Sequence, residues 1–253
     1  MGYVFDFNDT KAYEQWYNNI SNRFVVELEN RLMLEMLKPM PKSTLLDIGC
    51  GAGSSLFPFL DMDIQLTGLD PSPYMLDIAS EKLGNRVDFH RGFAEDLPFD
   101  DNFFDYTCMF ITLEFVENPK KAIEEACRVT KDRIFFGILN RYAAWGMYLQ
   151  IKCMFKDSIY KHARFFSIWE LKHILKSILG DVPISWRTVC QLPMGSGESV
   201  HKIERSSLLK RFPFGTFAGV VVAPVPHFRT RPLSITCKSK QPGKATAGYA
   251  AGP

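Results

Sequence analysis

An α/β fold, with a parallel sheet carrying helices on both faces, is what the sequence predicts, and two observations predict it. Short apolar runs that end at Gly, Pro or Asp recur along the chain, and between them lie segments whose apolar residues fall at helical spacing. Strands alternating with helices bury themselves as a parallel sheet between helical layers. The 253 residues suit one sizeable domain of this class with insertions. Hydrophobic residues make up 46% and charged residues 23%, the balance of an ordinary globular protein.

The elements follow in order. Residues 10–38 read as one helix: Tyr13, Trp16 and Tyr17 share a face, Phe24, Leu28, Leu32 and Leu37 continue the stripe, and Pro39 and Pro41 stop it. Ser43–Ile48 is a short apolar run ending at glycines, a buried strand. Ser54 to Leu60 reads as a helix that Pro58 keeps short or bent. Gln65–Asp70 is the second strand, and Ser72 or Pro73 opens a helix to about Leu83. Arg86–His90, Phe104–Phe110 and Arg133–Leu139 are the third, fourth and fifth strands, with a helix over Pro119–Val129.

Beyond that the pattern is less regular. Residues 142–160 form an apolar helical stretch that includes Trp145, Met147 and Tyr148. Ser167 with Glu170 three residues on is the pattern of a capping box, opening a helix to about Leu179. Pro183–Leu192 and Leu233–Lys238 read as the last two strands, separated by an insertion over residues 193–231. The first half of that insertion reads as a helix over Val200–Arg211, and its second half, Phe212–Pro226, is apolar and rich in Pro and Gly. The expected organisation is one domain over residues 1–240, with insertions at about 142–165 and 193–231 and a disordered tail over 241–253.

Several classes are disfavoured. The net charge is +2 with no long Lys/Arg block, so no nucleic-acid partner is expected. The cysteines at 50, 108, 127, 153, 190 and 237 form no Cys-x-x-Cys pair and read as isolated thiols of a reducing compartment. The histidines at 90, 162, 173, 201 and 227 are dispersed, so no metal site is expected. A polar, acidic N-terminus and the lack of a long apolar run predict neither a signal peptide nor a membrane span, and point to the cytoplasm.

The chemistry is carried by Leu45-Leu46-Asp47-Ile48-Gly49-Cys50-Gly51-Ala52-Gly53, a glycine turn after a buried strand. Such a turn lets backbone approach a ligand without a Cβ in the way and points N–H groups at it. A dinucleotide site needs G-x-G-x-x-G, and Ser54 stands where the last glycine would be. Asp47 precedes the glycines, and a carboxylate is unfavourable beside a pyrophosphate but helpful beside an ammonium and a sulfonium. S-adenosylmethionine (SAM) carries both cations and no phosphate. Asp70, closing the second strand, is placed to accept the two hydroxyls of a ribose, or else to cap the helix that follows.

Together these residues resemble the class I SAM-dependent methyltransferases, in the type 11 group that includes quinone-biosynthesis enzymes. The resemblance runs from Leu45 to Asn140, through Leu69-Asp70, Ala94-Glu95-Asp96-Leu97-Pro98-Phe99, Phe104-Asp105 and Leu113–Pro119. It implies a doubly wound, Rossmann-like, seven-stranded, mostly parallel sheet whose last strand is antiparallel, with the insertions at its carboxyl edge. It implies that Asp47, Gly49 and Gly51 line the methionine end of SAM, that Asp70 holds the ribose, and that Ala94 and Glu95 flank the adenine. Ile111 and Thr112 would border the methionine portion and the substrate, and Cys50, Pro71, Met75 and Tyr17 complete the expected cofactor set. The family usually has an acid where Phe93 stands and often a His where Glu114 stands. Glu114 is the candidate catalytic residue, expected at the pocket mouth to deprotonate or orient the acceptor, or else a solvated or helix-capping acid. No Asn/Asp-Pro-Pro-Tyr-type motif follows the fourth strand, which disfavours amide and exocyclic-amine acceptors.

Tyr13, Trp16 and Tyr17 are expected as a lid over the cofactor, or as an aromatic stripe packed on the core. The two apolar insertions leave the carboxyl edge of the sheet, where ligands bind in open α/β folds. They point to a small hydrophobic acceptor and O- or C-methylation. The alternatives are a homodimer interface and peripheral membrane contact, since Lys152, Lys156, Lys161 and Lys202 edge the apolar faces. A non-catalytic SAM-fold binding or scaffold protein is the competing reading of function.

Overall fold

The computed structural model describes residues 2–143, 162–190 and 209–224. Helix α1 (Phe7–Asn18) starts at a reciprocal cap: the Asp6 carboxylate accepts from Asn8 N and Asp9 N, and Asp9 accepts in return from Asp6 N. Helix α2 spans Arg23–Leu37. Strands β1 (Ser43–Ile48), β2 (Ile64–Asp70) and β3 (Val87–Arg91) follow, with α3 (Pro73–Leu83) between the last two. Strand β4 (Phe104–Phe110), helix α4 (Pro119–Val129) and strand β5 (Thr130–Leu139) come next. Helix α5 (Ile168–Leu179) and strands β6 (Ile184–Val189) and β7 (Phe217–Val222) complete the described elements.

The sheet has seven strands in the order β3-β2-β1-β4-β5-β7-β6. Strands β1 to β5 pair in parallel, and β7 runs antiparallel to both β5 and β6. Helices α4 and α5 pack on one face of the sheet, α2 and α3 on the other, each over its own apolar cluster. The strand order reverses between β1 and β4. Connections there diverge to opposite sides and leave a crevice at the carboxyl ends of the two strands. No helix of the described residues is long and apolar enough to cross a membrane.

Four expectations are corrected. The helix expected over residues 10–38 is two helices, because Asn19 leaves the helical conformation. The carbonyl of Trp16 is then closed off by Asn19 N at 3.2 Å and by Asn22 Nδ2 at 2.8 Å. Ser54–Leu60 holds only a single 3-10 turn, Phe57–Phe59, with Pro58 inside it. The capping box at α5 is half formed: Ser167 Oγ accepts from Glu170 N, but the Glu170 carboxylate turns instead to Arg141 and Arg164.

The fourth correction matters most. The seventh strand is Phe217–Val222, inside the segment expected as an insertion over 193–231. It lies between β5 and β6 with all six residues buried. A strand buried on both faces shows no alternation, so its run of small and branched residues reads as irregular. The sequence-predicted strand Leu233–Lys238, the apolar stretch 144–160, residues 200–208 of the helix expected over Val200–Arg211 and the tail 241–253 lie outside the described residues, and Leu209–Arg211 forms a 3-10 turn.

The contact between β5 and β7 is tight at Gly137, where a Cβ would lie 2.5 Å from the ring of Phe217. Phe217 is itself fully buried against Phe110 and Phe135. Gly137→Ala is expected to cost about 1–3 kcal/mol by overpacking. Urea denaturation measures it, and an unchanged midpoint would contradict this packing of β7.

Candidate functional site

The crevice is built around the turn after β1. Gly49, Gly51 and Gly53 have φ of 74°, 51° and 77°, the left-handed region that side chains rarely adopt. At Gly49 space is also decisive, because a Cβ would lie 2.3 Å from Thr112 Cγ2. Gly49 N and Cys50 N both donate to Leu69 O, at 2.7 and 3.1 Å, so the turn is tied to the end of β2. Gly51 N donates to Asp70 Oδ2 and Ser72 N to Asp70 Oδ1, each at 2.8 Å. The cap of α3 is Ser72, and Asp70 instead ties the glycine turn to the loop before that helix.

A cavity of about 170 Å³ opens over this turn. Asp70, Pro71, Met75, Phe93, Ala94 and Glu95 line it at the β2–β3 end, and Tyr13, Trp16, Tyr17, Val26, Glu29 and Asn30 line it from α1 and α2. The floor is Gly49–Gly51 with Ile111 and Thr112, just past β4. Ile111 is a branched residue at φ 54°, held there as its N–H donates to Gly137 O at 2.8 Å. Thr112 Oγ1 donates to Ile48 O at 2.8 Å.

Residues 2–5 cross the cavity as a strap that the sequence did not announce. Tyr3 N donates to Phe115 O at 2.8 Å, and Ser72 Oγ donates to Phe5 O at 2.7 Å. The rings of Phe5 and Phe115 meet edge to face at 5.0 Å, and Tyr3 stacks on His162 at 4.0 Å.

The residues expected on the cofactor all line this cavity except Asp47. Asp47 is wholly buried beneath the turn, accepting from Ser55 Oγ and, at 3.3 Å, from Cys108 Sγ. Burial lifts its pKa to about 6, against the opposing effect of those two donors. It reaches the cavity only through Ser55, which does line it. Glu95 lines the wall, but its Oε1 accepts from Glu117 N and Asn118 N at 3.0 and 3.2 Å. The half-exposed Phe93 ring therefore stands where an adenine-binding acid was missing.

Glu114 is corrected as well. It does not line the cavity; it is buried, with Oε1 accepting from Leu139 N at 2.7 Å and Oε2 without a partner. Burial lifts its pKa to about 8. An acid after β4 reads as accessible in sequence, but the 2.8 Å bond from Arg164 N to Glu114 O closes the chain over it.

The charge of the wall is one-sided. Among the described residues lining the cavity are the carboxyls Glu29, Asp70 and Glu95, and no Lys, Arg or His. A pyrophosphate would find no cation here, whereas a cationic ligand would be welcome. Burial lifts the Asp70 pKa to about 6, opposed by the Ser72 and Gly51 N–H groups. The site fits SAM on two further observations. A Cβ at Gly51 would meet only Met75 Sδ, at 3.9 Å, so the turn offers bare backbone to a ligand. Ser54 lines the cavity as well, its buried hydroxyl close to those of Tyr13 and Tyr17.

Glu29 is the site residue that sequence reasoning missed. It sits between Leu28 and Leu32 of an apolar stripe, a place that reads as core, yet it lines the cavity from α2. No group of three or more metal-ligating side chains occurs among the described residues.

Residues 46–136 match the family described as "Methyltransferase domain", type 11. The chain is 39% identical over 178 residues to an uncharacterized protein of Methanocaldococcus jannaschii, covering 69% of this chain and 80% of that one. It is 37% identical over 101 residues to the demethylmenaquinone methyltransferase of Renibacterium salmoninarum, covering 40% of this chain and 42% of the relative, so it spans less than half of that enzyme. Among solved structures, a SAM-dependent methyltransferase of Thermotoga maritima, described as a possible histamine N-methyltransferase, superposes with a TM-score of 0.66 at 25% identity, over 84% of this chain and 94% of that one.

The buried Glu114 has a consequence for stability. Unfolded, its carboxyl loses its proton near 4.5, whereas the folded protein retains it to about 8. Between those values the unfolded state holds fewer protons, so this group's contribution to stability declines as pH rises through the window. Glu114→Gln, which keeps the bond to Leu139 N, is expected to remove that decline. Denaturation midpoints at the two ends of the window test it, and an undiminished loss in the variant would show the carboxyl to be hydrated.

Proposed function

The chain belongs to the class I SAM-dependent methyltransferases of type 11, and on that premise we propose that it methylates a small hydrophobic acceptor at oxygen or carbon. The observation that carries the reading is the aromatic wall of the cavity over the glycine turn. There Tyr3, Phe5, Tyr13, Trp16, Phe110 and Phe115, from four separate stretches of chain, enclose one apolar space. Aromatic planes from several directions favour a flat, weakly polar molecule. The likeness to a demethylmenaquinone methyltransferase supports the same class.

SAM supplies a methyl group already attached to a good leaving group. The protein's share of the work is therefore alignment and exclusion of water. Asp70 holds the ribose, because each of its oxygens has a lone pair left beyond the N–H it already accepts. Phe93 packs on the adenine, with Ala94 beside it. Gly49, Cys50 and Gly51 present backbone to the methionine portion, with Ser55 held in place by Asp47. The strap over residues 2–5 and the α1 aromatics keep water from the reacting atoms.

Two measurements test this. Asp70→Asn is expected to weaken SAM binding about tenfold or more in isothermal titration, since a neutral amide accepts less strongly from two hydroxyls. Incubation with methyl-tritiated SAM and a panel of dihydroxynaphthalenes, hydroxyquinones and primary amines should place label in the hydroxylated aromatics. Label in the amines alone would overturn the acceptor class.

A further inference from the structure

Glu29 lines the cavity from α2 and is 7% exposed, yet its carboxyl makes no hydrogen bond or ion pair. A buried carboxyl without a partner is costly, and evolution tolerates few of them without use. Its place in the fold says which end of the cavity it serves. Helix α2 packs on β5, β6 and β7, the half of the sheet away from β2 and β3, whose ends carry the ribose and adenine residues. Glu29 therefore reaches the cavity on the acceptor side of the glycine turn.

The other titratable groups there are accounted for. Tyr3 comes from the strap, Tyr13 and Tyr17 from α1, Cys50 from the turn, Asp70 from the end of β2 and Glu95 from the loop after β3. Burial pushes Tyr3, Tyr13, Tyr17 and Cys50 up, so all four stay neutral. Glu95 is held by Glu117 N and Asn118 N. Asp70 is tied to Gly51 N and Ser72 N. No cation faces Glu29 among the described lining residues.

We propose that Glu29 takes up the proton that a hydroxyl acceptor gives up on methylation. The proposal rests on reading this cavity as the methyl-transfer site. In the step, the acceptor oxygen forms a bond to the methyl carbon, and the carbon–sulfur bond breaks with its electron pair going to sulfur. The oxygen's proton passes to the Glu29 carboxylate, leaving a methyl ether, S-adenosylhomocysteine (SAH) and a neutral Glu29. The charge on the cofactor sets Glu29's state at each stage. Burial alone lifts its pKa to about 8, so near neutral pH the carboxyl is mostly protonated in the empty cavity. A sulfonium nearby favours the carboxylate, and SAH, which has lost that charge, does not. The base is thus ionised when the methyl donor is bound and neutral once the product has formed.

The test needs no acceptor in its first arm. Calorimetric binding of SAM and SAH, near neutral pH in buffers of different ionisation enthalpy, reads the protons released. Wild-type protein should release more protons with SAM than with SAH, and Glu29→Gln should abolish that difference and, because ionisation and binding are linked, weaken SAM binding while leaving that of SAH little changed. A difference that persists in Glu29→Gln overturns the proposal. So does an equal loss of SAM and SAH affinity, which would make Glu29 a partner of the ammonium that both carry. Wild-type protein that binds no SAM would overturn the reading of the site itself, a separate outcome. In the second arm, with a dihydroxynaphthalene as probe, Glu29→Gln should lower kcat about a hundredfold and flatten its rise with pH. Unchanged kcat with an unchanged pH profile would also overturn it.

Discussion

The site depends on how closely the turn after β1 approaches the turn after β4. Only a residue without a side chain at position 49 lets Thr112 come this near, and Thr112 secures the approach by donating to Ile48 O. The same turn is tied to β2 by two N–H bonds to Leu69 O and by Gly51 N to Asp70. Ile111 is held in an unfavourable backbone conformation by its bond to Gly137 on β5. Four adjacent strands thus fix one small patch of backbone. A rigid patch of this kind is what an alignment-driven reaction requires, since small displacements between reacting groups are costly.

Charge is the second constraint, and it acts through burial. Asp47 lies beneath the floor with its two donors, and Asp70 and Glu29 lie on the wall. Glu95 lies there too, and no positive side chain among the described lining residues balances these carboxyls. Burial raises the pKa of Asp47, Asp70 and Glu29, so the cavity is tuned to be more negative when a cation is inside it than when it is empty. A cofactor that arrives with a fixed positive charge and leaves without one exploits that difference.

Much of this was legible in the sequence because it is local. The bounds of β1 and β4 follow from short apolar runs with turn residues at their ends, and α4 from Asn118-Pro119 at its start. The glycine turn, Asp70 and Ala94 lie at strand ends, where one-dimensional order already implies nearness in an α/β sheet. What escaped was set by contacts distant along the chain. Phe217–Val222 has the composition of a loop until β5 and β6 bury both of its faces. The strap over residues 2–5 is defined by partners at Ser72 and Phe115. Asp47 was expected at the surface of the site because a carboxylate suits a cation, but its side chain points from the strand into the sheet's underside, toward Cys108 on β4.

The contrast between Glu29 and Glu114 makes the same point about chemistry. Both are buried acids whose pKa burial lifts to about 8, and neither is held by a cation. Proximity in sequence to β4 favoured Glu114, yet its bonded oxygen supports the backbone at Leu139 and its free oxygen is sealed inside the protein. Glu29 stands far from every motif in the chain, but it borders the cavity over the glycine turn. A perturbed carboxyl becomes a reagent only if protons and substrate can reach it. Accessibility from the cavity, which depends on how α2 is set against α1 and the sheet, therefore separates a group that can exchange a proton during turnover from one whose titration matters only to stability.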